Sequence, residues 1–328
     1  MQRVDTVDEL YHDGDPEIPT EGTDVVAEPL NSIQEELANV IEDDGIALDP
    51  ENDHQVSQRI SARIAAHSGL VCVTDDPHGY IMPYSEVYGC ALSNNSGDIE
   101  HDIDISAGRR CNGDGSANMV LASAMTKRID AAWTAGTNQG GLDTGTVAAD
   151  TWYHVFLIKN TTSGAVDVLI SASPSSPTMP TGYTKKRRLG SVYTNSSANI
   201  RAFSQFNDTF LLSVPVVGSD FAVSGTAESR IVATPLGVRC SPILNASVNS
   251  TASTGVIHVY SPAQGEPSGD SGAIISYDAT HPGPLNIQIT GLYTNLSSQI
   301  MVKAYPDLVF FFTLTTVGWV DDRGKNIT

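Results

Sequence analysis

The residues that come nearest to a catalytic set are a serine in a Gly-Asp-Ser-Gly motif and two residues that precede it. Ser271 lies in the motif at 269–272, and His67 and Asp102 stand upstream in the order His, Asp, Ser. A serine activated by a histidine that an aspartate orients performs acyl transfer. However, His67 falls in a stretch that predicts a helix, and the separation from Asp102 to Ser271 is long for one catalytic domain. A glycine-rich turn between strands explains the motif more simply, and we predict no catalytic residues.

Acidic and polar residues also occur at spacings that could bind a cation. Glu100, Asp102 and Asp104 alternate with isoleucines from Ile99 onward, which predicts a strand with one solvated acidic face. The segment 112–115, Asn-Gly-Asp-Gly, resembles half of a calcium loop but lacks the glutamate that completes it. It therefore predicts a turn, and we expect neither a metal ion nor a cofactor.

The cysteines show no zinc-ligand spacing, since none forms Cys-x-x-Cys or pairs with a histidine. We expect small buried thiols. The four residues are Cys72, Cys90, Cys111 and Cys240.

The chain has one basic run, at Lys185, Lys186, Arg187 and Arg188. One interpretation is a solubilising loop before a strand at 189–192. The other is a contact with anionic sugar or phosphate on a cell surface, and we name these four residues with Tyr183 as the candidate receptor-binding set. The rings of Tyr183, Trp152 and Trp319 could stack on sugars, but packing in the core or an interface is favoured for the two tryptophans. His154 is likewise predicted to be a core residue.

Charge is distributed unevenly along the sequence. The chain carries 38 acidic and 18 basic residues for a net charge of −20, and residues 1–53 hold 17 of the acids with Arg3 alone as a base. Such a balance argues against a general nucleic-acid-binding protein, whose affinity comes from basic contacts with phosphates. No apolar run reaches the length of a membrane span, and the first residues predict no signal peptide.

Two helices are predicted after an extended acidic segment. Leu30, Ile33, Leu37 and Val40 recur at 3-4-3 spacing with Ile41 beside them, which predicts a helix over 30–44 that ends at Gly45. A seam of two heptads is marginal alone and favours self-association in a parallel bundle. A second helix is predicted at 54–67. Residues 1–29 predict either a disordered tail or an arm that orders on a partner.

Beyond residue 70 the period of the apolar residues changes to two. The clearest feature is a hairpin in which strands at 152–158 and 166–170 flank a turn from Asn160 to Gly164. Short strands separated by turn-rich links predict a mainly β fold with two sandwich or jelly-roll domains. The expected organisation is an arm at 1–29, a helical collar at 30–70, a linker at 71–97, and sandwiches at 98–214 and 215–328.

Two stretches resemble the tail-fibre and minor tail proteins of bacteriophages and prophages. The first comprises GTDVV at 22–26, LNSIQEEL at 30–37, VI at 40–41, GIAL at 45–48 and Gln55. The usual pattern has a tryptophan before the Leu-Asn pair, where this chain has Pro29. The second comprises TWYHV at 151–155, PTGYT at 180–184, RRLGS at 187–191 and the ending VGWVDDRG at 317–324.

The resemblance implies a homotrimeric fibre protein of the virion tail, made in the host cytoplasm. Residues 1–30 would dock on other virion proteins, and Leu30, Ile33, Leu37, Val40 and Ile41 would form the trimer interface. The β-rich part would bind a host-surface glycan or protein without breaking a bond, and no nucleic-acid or membrane-inserted partner is implied. Alternatives are a fibre or spike of the head or neck, a glycan depolymerase, and the serine protease considered above.

Overall fold

The computed structural model describes residues 27–43, 45–49, 51–69, 85–218, 221–249, 255–269, 275–277, 285–305 and 310–325. The chain forms two compact units, Met1–Val73 and Thr74–Thr328. Strands account for 45% of the chain and helices for 9%, which confirms the predicted mainly β class. No helix in the described ranges is long and apolar enough to cross a membrane.

The first unit contains α1 (Ala27–Glu42) and α2 (Gln55–Gly69), close to the predicted 30–44 and 54–67. Helix α1 ends because Gly45 adopts a φ of +73°, a conformation that favours glycine, and its N–H bonds to the Glu42 carbonyl. Before α2, the side chain of Asn52 accepts a hydrogen bond from the backbone N–H of His54 at 3.0 Å. Local signals of this kind explain why the sequence located both helices.

The second unit is built from strands. They are β1 (Tyr88–Gly89), β2 (Leu92–Asn94), β3 (Asp102–Ile105), β4 (Gly108–Cys111), β5 (Asn118–Leu121), β6 (Met125–Ala132), β7 (Gln139–Leu142), β8 (Trp152–Asn160), β9 (Val166–Ser171), β10 (Tyr183–Tyr193), β11 (Phe203–Phe206), β12 (Thr209–Val217), β13 (Phe221–Val223), β14 (Glu228–Ile231), β15 (Ser241–Asn249), β16 (Gly255–Tyr260), β17 (Ile275–Tyr277), β18 (Leu285–Ile289), β19 (Gln299–Tyr305) and β20 (Phe310–Val320).

These strands form four sheets within the described residues. Their orders are β1-β4-β5, β10-β8-β9-β7-β6-β3-β2, β11-β12-β20-β15-β18 with β13 also on β20, and β14-β19-β16-β17. Pairing is antiparallel except that β7 lies parallel to both β6 and β9. The predicted linker 71–97 therefore contains β1 and β2, which pair with β4 and β3.

The predicted hairpin is confirmed as the antiparallel pair β8 and β9. The Asn160 side chain accepts hydrogen bonds from the N–H groups of Thr162 and Ser163, both at 3.0 Å, and Gly164 has a φ of +76°. Strand β8 is buried on both faces, since Val155 and Leu157 pack in one core while Phe156 and Ile158 pack in another. A continuous apolar run is typical of such a strand.

The predicted alternating strand is shorter than expected. Ile103 and Ile105 are buried in β3, but Ile99 is exposed in a turn. The turn forms because the Asp98 carboxylate accepts hydrogen bonds from the backbone of Glu100 and His101 at 3.2 and 3.0 Å. Local side-chain bonding thus replaces the strand that the alternation favours.

Strand β20 contributes to the two largest cores. Phe312 and Leu314 pack with residues of β15, β16 and β19, whereas Trp319 packs with residues of β8, β10 and β12. The predicted boundary at 214/215 falls inside β12, which pairs with β20. The two predicted β sections therefore share one sheet.

The cysteines differ from one another. Cys90 and Cys240 are buried free thiols, as predicted. Cys111 is disulfide-bonded, so the expectation of a thiol is wrong there, and Cys72 lies outside the described residues.

Candidate functional site

The predicted trimer seam lies on α1 and is partly uncovered within one chain. Leu37 is 48% exposed, Ile33 and Val40 are half-buried, and Ile41 is only 5% exposed. Leu30 lies in α1, but its side chain is outside the described residues. Ile41 is thus covered by its own unit, while Leu37 presents an apolar side chain to solvent.

Further apolar side chains of this unit are exposed. On α2 they are Ile60 and Ile64, 49% and 63% exposed, and in the connection between the helices they are Ile46 and Leu48, 40% and 49% exposed. With Leu37, five large apolar side chains of the described part of this unit are thus exposed within one chain.

Gln55 holds the connection between the helices in place. Its side-chain oxygen accepts a hydrogen bond from the N–H of Asp49 at 2.9 Å, and its amide donates to the Ala47 carbonyl at 3.1 Å. Arg63 of α2 adds an ion pair with Asp43 at 3.0 Å. These bonds connect residues 47 and 49 to the start of α2 and so fix the position of that part of the connection between the helices.

The basic run is a strand rather than a loop, which corrects the solubilising-loop interpretation. Residues 185–188 lie inside β10 and pair with β8. Lys185 bonds through Nζ to Asp114 and Ser116 at 3.0 and 2.7 Å. Lys186 donates to the Ser175 carbonyl at 2.6 Å. Both lysines are half-buried and remain at the surface.

The two arginines of the run lie in the interior. Arg187 and Arg188 are 4% and 9% exposed. Both terminal nitrogens of Arg188 donate hydrogen bonds to the Asp321 carboxylate, at 2.5 and 2.6 Å. Arg187 donates to the Gly324 carbonyl. Their burial removes them from any contact surface, because their donors are turned toward the chain itself.

Tyr183 is also turned inward. It is 9% exposed and meets the Trp133 ring edge-on at 5.2 Å between centroids. Burial, assisted by the charge of Asp167, raises the pKa of the Tyr183 hydroxyl. Of the candidate receptor-binding set, the structure therefore keeps only Lys185 and Lys186 at the surface.

A cleft that sequence reasoning missed lies between the ends of β8 and β10 and the 231–236 loop. Its volume is about 320 Å³. At one wall Trp152 stacks on Tyr193 with centroids 4.6 Å apart and planes 19° apart, and the Arg201 guanidinium lies 5.3 Å above the Tyr193 ring. The lining includes Asp150 and Thr234.

The polar groups of this cleft are suited to a ligand that carries hydroxyl groups. Asp150 is half-exposed and lies 4.0 Å from Arg201, so its carboxylate can accept further hydrogen bonds. Thr234 lines the cleft but is fully buried, so its hydroxyl lies beneath the accessible surface and is not a contact for such a ligand. The lining residues come from distant parts of the chain, so no local pattern in the sequence could have located the cleft.

The residues proposed as a protease set are only partly described. Asp270, Ser271 and Gly272 and the side chain of His67 lie outside the described residues. Asp102 lies in β3, and burial raises the pKa of its carboxyl. His258 reaches the first residue of the motif, where its Nε2 donates to the Gly269 carbonyl at 3.0 Å.

The predicted turn at 112–115 is confirmed. Asn112 donates to the Asp114 carboxylate at 2.6 Å, which also accepts from the N–H of Ser116 at 2.9 Å. Hydrogen bonds from Ser116 and Lys185 hold the pKa of Asp114 well below its usual range. No group of three or more His, Cys, Asp or Glu residues in the described ranges is arranged to hold a metal ion.

Two other residues lie where core packing was predicted. Trp319 is 1% exposed and stacks on Phe210 at 5.3 Å. His154 is fully buried, and its Nδ1 lies 2.9 Å from the Ser191 hydroxyl. Burial and the charge of Arg188 lower the pKa of His154 to about 3, so its ring is neutral at pH 7.

Comparison with known proteins found no matching family model, no matching curated protein and no matching solved structure.

Proposed function

We propose that this chain is a structural adhesion protein of a tailed bacteriophage, a tail-fibre or receptor-binding protein that attaches the virion to the host cell. The protein is a homotrimer with a helical collar and β-sandwich domains. Residues 1–30 dock on other virion proteins. The proposal rests on the resemblance of two stretches of sequence and on the exposed apolar surface of the helical unit.

The observation that carries the proposal is the uncovered side of α1. Leu37 is 48% exposed within one chain, at the centre of a seam with Ile33 and Val40 at heptad spacing. Burying a leucine side chain contributes about 1.5–3 kcal/mol, and a parallel bundle buries one from each chain. A second and a third copy of the same helix are therefore the partners that this pattern fits.

The receptor site in this proposal is the cleft at Trp152 and Tyr193. A sugar ring presents an apolar face to aromatic side chains and hydroxyl groups to carboxylates. The Asp150 carboxylate supplies a polar partner beside the rings. Lys185 and Lys186 remain as a second contact surface for an anionic receptor. Contacts of modest affinity would be multiplied by three copies per fibre.

The test is the solution mass of the full chain by light scattering. With 34.8 kDa per chain, the trimer has a mass of about 104 kDa. We expect that mass for the natural sequence and 34.8 kDa for Leu37→Asp, because three carboxylates would meet in a desolvated seam.

The matched control is Asn39→Asp, which adds the same charge at an exposed position of α1 and should leave the trimer intact. A natural chain that is monomeric would contradict the collar, as would a Leu37→Asp chain that stays trimeric.

A further inference from the structure

The β unit contains a second open cleft, with a volume of about 410 Å³. Its walls come from distant parts of the chain, which include Pro174 and Ser175 after β9, residues 237–239, and Asp322 and Gly324 after β20. Gly237 has a φ of +77°, and a Cβ there would lie 2.4 Å from Cγ of Pro174, so only glycine allows these two walls to meet. We call this the second cleft and the one at Trp152 and Tyr193 the first cleft.

The two clefts share one thin wall. The lining changes from the first cleft to the second between Leu236 and Gly237, and again between Ser297 and Leu296. Consecutive Cα atoms are only about 3.8 Å apart, and the Gly237 N–H donates to the Leu296 carbonyl at 2.8 Å, which joins the two segments. Leu236 and Leu296 are 55% and 61% exposed. A ligand that leaves one cleft therefore crosses two exposed leucines and meets the other cleft.

Two cations at the second cleft have no carboxylate partner among the described residues. Arg239 lines the cleft and is exposed, and its guanidinium makes no hydrogen bond or ion pair with a described residue. Lys186 reaches the rim, because its Nζ donates to the carbonyl of Ser175 at 2.6 Å. The lining carboxylate of Asp322 lies 3.8 Å from the Arg188 guanidinium instead. Since a guanidinium binds a carboxylate through two parallel hydrogen bonds, the second cleft is suited to an anionic group.

The first cleft differs in charge, because its lining carries the Asp150 carboxylate beside the Trp152 ring. We propose that the two clefts are successive subsites for an acidic polysaccharide in which acidic and neutral sugars alternate. Arg239 and Lys186 hold the carboxylate of a uronate residue in the second cleft, and the neighbouring neutral sugar lies in the first cleft and donates hydroxyl groups to Asp150. The inference rests on the proposed receptor function and adds the chemical class of the receptor.

The experiment compares acidic oligosaccharides with their carboxyl-reduced forms. The probes are hexasaccharides of hyaluronan, heparosan and unsulfated chondroitin, and each is paired with the same hexasaccharide whose carboxylates have been reduced to alcohols. Binding to the full chain is measured by titration calorimetry. We expect at least one acidic probe to bind about ten- to a hundredfold more tightly than its reduced form, the value of hydrogen bonds to a charged group. Added salt should reduce this preference.

The variant that tests the second cleft is Arg239→Gln, which removes an exposed side chain that has no described partner to lose. We expect it to lose the preference for the acidic probe. The matched control is Arg128→Gln, which removes the same charge from an exposed arginine on β6 that lines neither cleft, and it should keep the preference.

Asp150→Asn tests the first cleft. Asp150 has a φ of +46°, which asparagine also adopts, so the backbone should be retained. Because the first cleft holds the neutral sugar, we expect this variant to weaken the acidic and the reduced probe by the same factor. A variant that weakens only the acidic probe would contradict this placement of the two sugars.

Equal binding of the acidic and the reduced probes, or binding of none of them, would overturn the proposal. An Arg239→Gln protein that keeps the preference would also overturn it, because the carboxylate would then lie elsewhere. Hexaglutamate bound as tightly as the acidic hexasaccharides would assign the second cleft to an acidic peptide. A trimeric chain without the preference would overturn this inference alone, whereas a monomeric chain with the preference would contradict the fibre collar alone.

Discussion

Replacing Asp321 by asparagine should destabilise the β unit strongly. The Asp321 carboxylate is fully buried. It accepts hydrogen bonds from both terminal nitrogens of Arg188, at 2.5 and 2.6 Å, and from the backbone N–H of Arg323, at 2.8 Å. An asparagine oxygen can still accept from Arg323. Its amide nitrogen would, however, face a guanidinium donor, and the negative charge beside Arg188 would be lost.

The magnitude follows from the burial of the pair. Removing one partner of a buried ion pair leaves the other charge uncompensated, at a cost of about 3–5 kcal/mol. Because Arg188 is 9% exposed, little solvent can replace the lost carboxylate. For an m-value of about 3 kcal/mol/M, the urea midpoint should fall by about 1–1.7 M.

The assay is urea unfolding followed by tryptophan fluorescence, since Trp319 lies two residues before Asp321 and is 1% exposed. The control is Asp322→Asn. Its carboxylate is one-third exposed and lies 3.8 Å from Arg188, so we expect a loss below about 1 kcal/mol. Equal losses for Asp321→Asn and Asp322→Asn would refute the argument that burial of the pair sets the magnitude.

Two further predictions concern acid stability and backbone packing. Burial and the charge of Arg188 lower the pKa of His154 to about 3 in the folded chain. Between that pH and about 6.5 the histidine is protonated in the unfolded chain and neutral in the folded chain. The free energy of unfolding should therefore decrease by up to about 1.4 kcal/mol for each unit by which the pH is lowered in this range. The check is the urea midpoint measured at several pH values, and a His154→Gln protein with the same pH dependence as the natural sequence would exclude this cause. Separately, a Cβ on Gly140 would lie 1.9 Å from the Ala132 carbonyl oxygen, so Gly140→Ala should cost about 1–3 kcal/mol by overpacking. The matched Gly113→Ala, whose nearest atom is at 3.5 Å, should melt near the natural sequence, and equal melting of both variants would contradict the argument.

Elements that depend on neighbouring residues could be predicted from the sequence. The seam at Leu37 and the break at Gly45 located α1, and the Asn160 turn located the hairpin of β8 and β9. Each signal acts within a few residues, through periodicity, turn chemistry or capping. Where a local bond competes with periodicity, as the Asp98 turn does before Ile103, the prediction of strand length was wrong.

The candidate site was less accessible to sequence reasoning. The cleft brings Trp152, Tyr193 and Thr234 together from separate strands and loops, and their spacing in sequence carries no information about that proximity. Trp152 could be singled out as an aromatic residue able to stack on a sugar. Its stacking partner Tyr193 and the burial of Thr234 emerge only from the packing of the sheets.

The sequence by itself determined the mainly β class, the two helices and the acidic character of the first 53 residues, because composition and periodicity act locally. Only the tertiary structure decided which residues of the basic run at 185–188 are buried. A row of four basic residues is ordinarily solvated, but the end of β20, a strand of a different sheet, brings Asp321 to Arg188 from 133 residues away. Burial of a charge depends on a partner that the chain supplies from a distance, and here the packing of two different sheets determines which partner that is.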